Sequence, residues 1–171
     1  MEQTIARGLE GVVFDASTIS SIDGQKGELL YRGYDIRELA DHASFEEVTY
    51  LLWHDDLPNR SQLEAFRADI AQNFAVPGAV FDMFRSLPDT IHPMHAIRTA
   101  ASLLGAFDPA AEGLHDANIR RIRHRILARF APVTPRYERT PHRLTPAVPD
   151  PPLLLPHTLM LVHTRHHSSD P

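Results

Sequence analysis

Residues 35–52 read Asp35-Ile36-Arg37-Glu38-Leu39-Ala40-Asp41-His42-Ala43-Ser44-Phe45-Glu46-Glu47-Val48-Thr49-Tyr50-Leu51-Leu52, and two helix starts lie inside them. Asp35 stands three residues before Glu38, and Ser44 three before Glu47. In such a pair the first side chain accepts from an early helical amide while the carboxylate reaches back to the cap amide. Ser61 and Glu64 repeat the spacing, which predicts a third start. Behind the Ser44 start, Phe45, Val48, Leu51 and Leu52 form an apolar stripe at helical spacing. Three starts of one kind within 30 residues predict a mainly α chain.

Working upstream, Thr18-Ile19-Ser20-Ser21-Ile22 and Glu28-Leu29-Leu30-Tyr31-Arg32 flank Asp23-Gly24-Gln25-Lys26-Gly27. Two β-compatible runs around a loop containing Asp-Gly predict a β-hairpin, with Gly33 as punctuation after it. Downstream, four more stripes carry the helical period. They are Leu63/Phe66/Ile70/Phe74; Val80/Met83/Phe84/Leu87 closed by Pro88; Met94/Ile97/Ala101/Leu104 opened by Pro93 with Gly105 as its stop; and Ile119/Ile122/Ile126/Phe130 ended by Pro132.

The chain breaks in character near residue 130. All 8 glycines and 19 of the 22 acidic residues lie in 1–130, whereas 131–171 holds 9 of the 14 prolines and 5 of the 11 histidines. Each proline removes a backbone donor and biases the preceding residue away from helix, so 131–171 is expected to be irregular and poorly ordered. The organisation expected is a helical domain over 1–130 followed by a Pro/His-rich tail over 131–171.

Composition removes whole classes of function. With no cysteine among 171 residues, a disulfide framework, cysteine-ligated zinc, iron–sulfur clusters and thiol nucleophiles are excluded. A net charge of −5 gives no general attraction to nucleic acid or anionic lipid. No apolar run approaches the roughly 20 residues of a membrane helix, and the start of the chain has no apolar signal core, which points to the cytoplasm. Gly-x-Gly-x-x-Gly, Walker, His-Glu-x-x-His and Gly-x-Ser-x-Gly motifs are all missing from the sequence.

Longer fragments fall into a recognisable order. Gly8-Leu9-Glu10-Gly11-Val12-Val13 is followed by Ile22-Asp23-Gly24, then Leu29-Leu30-Tyr31-Arg32-Gly33-Tyr34-Asp35-Ile36 and Leu39-Ala40. Next come Ser44-Phe45-Glu46-Glu47-Val48, Tyr50-Leu51-Leu52 and Leu57-Pro58. His92-Pro93-Met94, Arg98-Thr99-Ala100 and Leu104-Gly105-Ala106-Phe107-Asp108-Pro109 close the series. In this order and spacing, residues 8 to 130 resemble the N-terminal portion of bacterial citrate synthases. The related 2-methylcitrate synthases share much of the pattern, while Asp23-Gly24 and Gly27-Glu28-Leu29-Leu30 look more like the citrate enzymes.

The resemblance implies a partial large helical domain, from a homodimeric family that condenses acetyl-CoA with oxaloacetate and hydrolyses citryl-CoA in the tricarboxylic acid cycle. Acetyl-CoA is a substrate there, and no metal or prosthetic group is used. An Asp takes the methyl proton, two His stabilise the enol and supply the acid, and arginines with another His hold the oxaloacetate carboxylates. Those histidines sit in Gly-containing loops later in the family's sequence, and no glycine follows Gly113 here. His166, His167 and Asp170 match the residue types without their context. No catalytic, substrate-binding or metal-ligating residue is therefore carried over, and the chain alone is expected to be inactive. The tail's composition is what a high-GC citrate synthase gene gives when read out of frame beyond residues 120–135. Lost burial partners further imply a homo-oligomer or an aggregation-prone chain. The other reading is a non-catalytic helical module that pairs with itself or with a full-length homologue.

Individual features are read against simpler roles. Arg120, Arg121, Arg123, Arg125 and Arg129 oppose the Ile119/Ile122/Ile126/Phe130 stripe. Such a face can contact phosphate, though solvated charge opposite an apolar face is the more common arrangement. In the family the helix resembles one at the dimer interface, so contact with a partner chain stays open. His157, His163, His166 and His167 lack a fixing second shell for a metal. His92 and His95, near Asp89, are expected to cap and pack a helix start rather than act as an acid–base pair. Trp53 is expected to pack at the core or domain edge.

Overall fold

The computed structural model describes residues 15–88, 90–113 and 115–139. They form six helices and one small sheet, divided into two compact units at Leu57 and Pro58.

In the first unit, β1 (Ser20–Asp23) and β2 (Glu28–Tyr31) pair antiparallel, with Ser20 opposite Tyr31 and Asp23 opposite Glu28. The hairpin expected from the sequence is present, and Asp23 builds its loop. One carboxylate oxygen accepts from the backbone N–H groups of Gln25 and Lys26 at 3.1 Å each, and the other pairs with Lys26 Nζ at 2.9 Å. A third strand, β3 (Tyr34–Asp35), continues the sheet in the order β1-β2-β3 and was not anticipated. Its turn consists of Arg32 and Gly33 alone, at φ 49° and 87°. Two successive positive φ values suit the right-handed twist of the flanking strands, and Gly33 meets its requirement without a Cβ penalty.

Asp35 then caps α1 (Ile36–His42), its carboxylate accepting from the Arg37 amide at 2.7 Å. Ser44 opens α2 (Phe45–His54) with the full reciprocal box: Glu47 N–H donates to Ser44 Oγ at 3.3 Å, and Ser44 N–H donates to Glu47 Oε2 at 2.7 Å. The buried residues of α2 are Glu46, Thr49 and Leu51, whereas Phe45, expected in the apolar stripe, is exposed. Thr49 tolerates burial because its hydroxyl donates to the Phe45 carbonyl at 2.8 Å.

The second unit contains α3 (Arg60–Gln72), α4 (Gly78–Ser86), α5 (Pro93–Ala106) and α6 (Asp116–Arg139). Helix α6 packs against each of the other three, and α4 also packs against α5. The α3 start corrects the sequence reading. Asn59 and Gln62 form the capping box, two residues ahead of Ser61 and Glu64, and Glu64 instead pairs with Arg60 at 3.0 Å. Asparagine caps as well as serine does, so two overlapping boxes were available and the earlier one formed.

Two further corrections concern α5 and α6. In α5 the buried residues are Ala96, Ala100 and Leu104, while Met94 is 63% exposed. In α6, Asn118, Ala128, Ala131 and Val133 are buried, whereas Ile119 and Ile126 are 45% and 50% exposed. Alanine lets helix axes approach closely, so the contact faces centre on small residues while Met94, Ile119 and Ile126 turn outward.

Helix α6 also runs past Pro132 and Pro135 to Arg139, so neither the expected stop at Pro132 nor an irregular course for 131–139 holds. The two prolines cannot donate to the carbonyls of Ala128 and Ala131, a defect of about 3 kcal/mol for an interior proline. Tertiary burial offsets it. Val133 is fully buried in a core with Val80, Phe84, Ala96, Ala100 and Leu104. Tyr137 stands edge-on to Phe84 at 5.3 Å between ring centres, and its hydroxyl donates to the Ile91 carbonyl at 3.2 Å. Burying one such aliphatic or aromatic side chain contributes about 1.5–3 kcal/mol, so two or three suffice to carry the helix through. The rest of the expected Pro/His-rich tail lies outside the described residues.

Candidate functional site

The corner between α5 and α6 gathers several charged and polar side chains held by specific partners. Helix α5 ends at Ala106, and Asp108 opens the connection to α6. Its buried carboxylate accepts from the Ala110 amide at 3.1 Å and pairs with Arg125 Nη1 at 2.6 Å. Burial pushes the Asp108 carboxyl up. The Arg125 and Ala110 hydrogen bonds and the charges of Arg125 and Arg121 outweigh that, holding it below the usual range.

Asn118 organises the same connection from the α6 side. Its buried amide Nδ2 donates to the carbonyls of Ala110 at 2.5 Å and Gly113 at 2.6 Å, while Oδ1 accepts from Arg121 Nη2 at 2.5 Å. A Cβ at Gly113 would stand 2.6 Å from Asn118 Nδ2, so this close approach excludes any larger residue unless Asn118 moves. Neither Asp108 nor Asn118 was singled out from the sequence as an organising residue. Asp108 carried a readable signal, since an aspartate that binds the amide two residues on marks a turn. Asn118 sits inside a helical pattern and carried none.

The five arginines singled out on the first part of α6 divide. Arg120 and Arg121 are exposed. Arg125 is tied to Asp108, and Arg129 Nε donates to the Ala75 carbonyl at 3.0 Å. Burial, and then the neighbouring charge of Arg120, lower the pKa of Arg123. Between these residues His124 Nδ1 meets Asp69 of α3 at 2.9 Å. The face is thus partly used for helix packing rather than uniformly solvated.

The other expected features resolve more simply. His92 is the N-cap of α5, its Nδ1 accepting from the Met94 amide at 3.2 Å with Pro93 at the first helical position. His95 lies 3.1 Å from Arg98 through Nδ1, and the two imidazoles meet edge to face at 5.9 Å. The capping role expected for His92 is what the geometry displays; Asp89 lies outside the described residues. Trp53 is half-buried on α2. His157, His163, His166, His167 and Asp170 also lie outside the described residues. Among the described residues no cluster of three or more histidines and carboxylates could hold a metal ion. No helix among them is long and apolar enough to cross a membrane.

Residues 8–169 match the family model described as citrate synthase, C-terminal domain. The chain belongs to the citrate synthase family. It is 47% identical over 120 residues to citrate synthase 2 of Bacillus subtilis, covering 69% of this chain and 32% of that protein. It is 37% identical over 129 residues to 2-methylcitrate synthase 1 of Corynebacterium glutamicum, covering 75% of this chain and 34% of that one. Among solved structures, the citrate synthase of Pyrobaculum aerophilum matches at a TM-score of 0.81 and 28% identity, over 96% of this chain and 43% of that chain. This citrate synthase family member therefore spans about a third of the length of the curated relatives it matches. The family match also runs well past residue 130, where the resemblance read from the sequence ends.

Proposed function

We propose that this chain forms the N-terminal scaffold of a citrate synthase and does not catalyse the reaction by itself. The whole enzyme's reaction is the condensation of acetyl-CoA with oxaloacetate and water to give citrate and CoA, in the tricarboxylic acid cycle and in the cytoplasm. The observation that carries this reading is the asymmetry of the structural match. Nearly all of this chain, 96%, finds a counterpart in the Pyrobaculum citrate synthase, yet it accounts for only 43% of that chain. Enolising a thioester needs a positioned base together with donors aimed at the developing enolate oxygen. Asp108, Arg125, Arg129, His124 and His92 are instead engaged with a helix end, a loop carbonyl or another charged side chain. Expected outcome: the purified 171-residue chain releases no CoA thiol above blank from acetyl-CoA and oxaloacetate. A sustained rate above blank would contradict the proposal.

A second reading is favoured by one observation. Met94, Phe107, Ile119 and Ile126, all in the second unit, are 63%, 49%, 45% and 50% exposed. Such a surface suits a non-catalytic module that pairs with itself or with a full-length homologue. Light scattering on a sizing column distinguishes the readings: a single dimer species at all concentrations supports the module, and concentration-dependent growth supports an incomplete scaffold.

A further inference from the structure

Between α5 and α6 lies a cavity of about 210 Å³. Leu104, Ile122, Ile126 and Phe130 make its apolar wall, and Arg125 and Arg129 line it as well. Its volume exceeds the roughly 150 Å³ that suffices to hold benzene, and it opens to solvent where Ile126 is half exposed, so there is room for one aromatic ring or a short branched alkyl group. Gly105 also lines it, and a Cβ built there meets nothing within 4 Å, so the space continues up to the α5 backbone.

The charge around the cavity is unbalanced. Arg125 and Arg129 stand four residues apart, on one face of α6. Asp108, the carboxylate in the lining among the described residues, is already engaged by Arg125 Nη1 at 2.6 Å and by the Ala110 amide at 3.1 Å. Arg129 is anchored through Nε to the Ala75 carbonyl at 3.0 Å. Each guanidinium carries five N–H donors, so the one bond that each makes among the described residues leaves a pair of neighbouring donor sets beside an apolar hole. Two cations against one anion favour a single negative charge, and guanidinium donors suit a carboxylate.

The geometry points to a binding site for a small amphiphilic carboxylate, its ring or branched alkyl group in the α5–α6 cavity and its carboxylate on Arg125 and Arg129. The site lies outside the condensation reaction proposed above and needs no residue beyond this chain. Its polar contacts are charge-assisted, which sets the contrast expected between an acid and its neutral analogue.

The test is ligand-observed NMR on the full 171-residue chain, using phenylacetate and its neutral isostere phenylacetamide as probes at two protein concentrations. Phenylacetate is expected to saturate, with the amide binding about tenfold more weakly. Arg129→Leu should remove that preference, reducing phenylacetate to the level of the amide. Gly105→Leu should abolish binding by filling the cavity while helical circular dichroism is kept, because leucine favours helix more than glycine does. Equal binding of acid and amide, binding that survives Gly105→Leu, or no saturation by the unsubstituted chain would each overturn the proposal. So would binding that disappears as protein concentration rises, which would show a second copy to be the occupant.

Discussion

The two units keep their structure by different means. In the first, most of the geometry is set within a few residues of where it appears. Asp23 closes one loop on Gln25 and Lys26, Arg32 and Gly33 turn the next, and Asp35 and Ser44 start the two helices. In the second, α6 persists through two prolines because Val133 and Tyr137 pack against residues of α4, α5 and the segment before α5. Local chemistry writes the first unit, and burial between distant residues writes the second. The first kind of structure can be read along a sequence, whereas the second requires knowing which faces meet.

The contrast can be broken most severely at the shared core of the second unit. Phe84→Ala removes a ring that is 3% exposed and stacked edge-on by Tyr137. It should destabilise by about 3–5 kcal/mol in chemical denaturation. Amide exchange should show α6 opening around Pro132 and Pro135 while α1 and α2 keep their protection. Unchanged protection at the end of α6 would mean that the helix persists on its own propensity.

Asp108→Asn addresses the corner between α5 and α6, with an expected loss of about 1.5–3 kcal/mol at neutral pH. The pH dependence has a definite sign. Because the folded carboxyl lies below its ordinary 3.8, the stabilisation is full above that value and is lost as pH falls through the lowered folded pKa. Urea midpoints of parent and variant should therefore differ at pH 7 and converge in strong acid. A gap that persists at low pH would assign the effect to packing instead.

In the first unit, Gly33→Ala forces a Cβ onto a residue at φ 87° and should cost about 1–2 kcal/mol. The same substitution at Gly105, in the last turn of α5 with open space around it, should instead stabilise by up to about 1 kcal/mol. Opposite signs from two Gly→Ala changes are the expectation, and thermal melts suffice to read them.

The smallest effect sharpens the comparison furthest. Pro132→Ala restores a donor for the Ala128 carbonyl, and should raise stability by a net of about 1 kcal/mol once local accommodation of the ring and the greater freedom of the unfolded chain are set against the interior-proline defect. A loss of stability on making that change would show that the proline ring itself contributes to the packing.

These elements also mark how far the sequence could be read. The hairpin, the Ser44 box, the proline at the start of α5 and the mainly α class all rest on short-range rules that hold residue by residue. The β3 strand escaped notice because two residues offer no periodicity, although Arg32-Gly33 between two tyrosines was the available sign. The α5 and α6 faces were misassigned because counting large apolar residues favours Met94 and Ile119 over Ala96 and Ala128. Close helix packing selects the small ones. Pro132 was read as a stop because the burial that overrides it comes from Phe84 and Ile91, more than 40 residues away. At the α5–α6 corner, the charge pattern revealed the arginines but not the partners that engage them.

The central claim is that this member of the citrate synthase family supplies scaffold without the base that removes a proton from the acetyl methyl group. Proton–deuterium exchange at the methyl group of acetyl-CoA, followed by NMR in heavy water with oxaloacetate present, measures that step before any carbon–carbon bond forms. The account predicts exchange at the rate of the protein-free control. Exchange that is faster, saturates with acetyl-CoA and scales with the amount of chain added would contradict it.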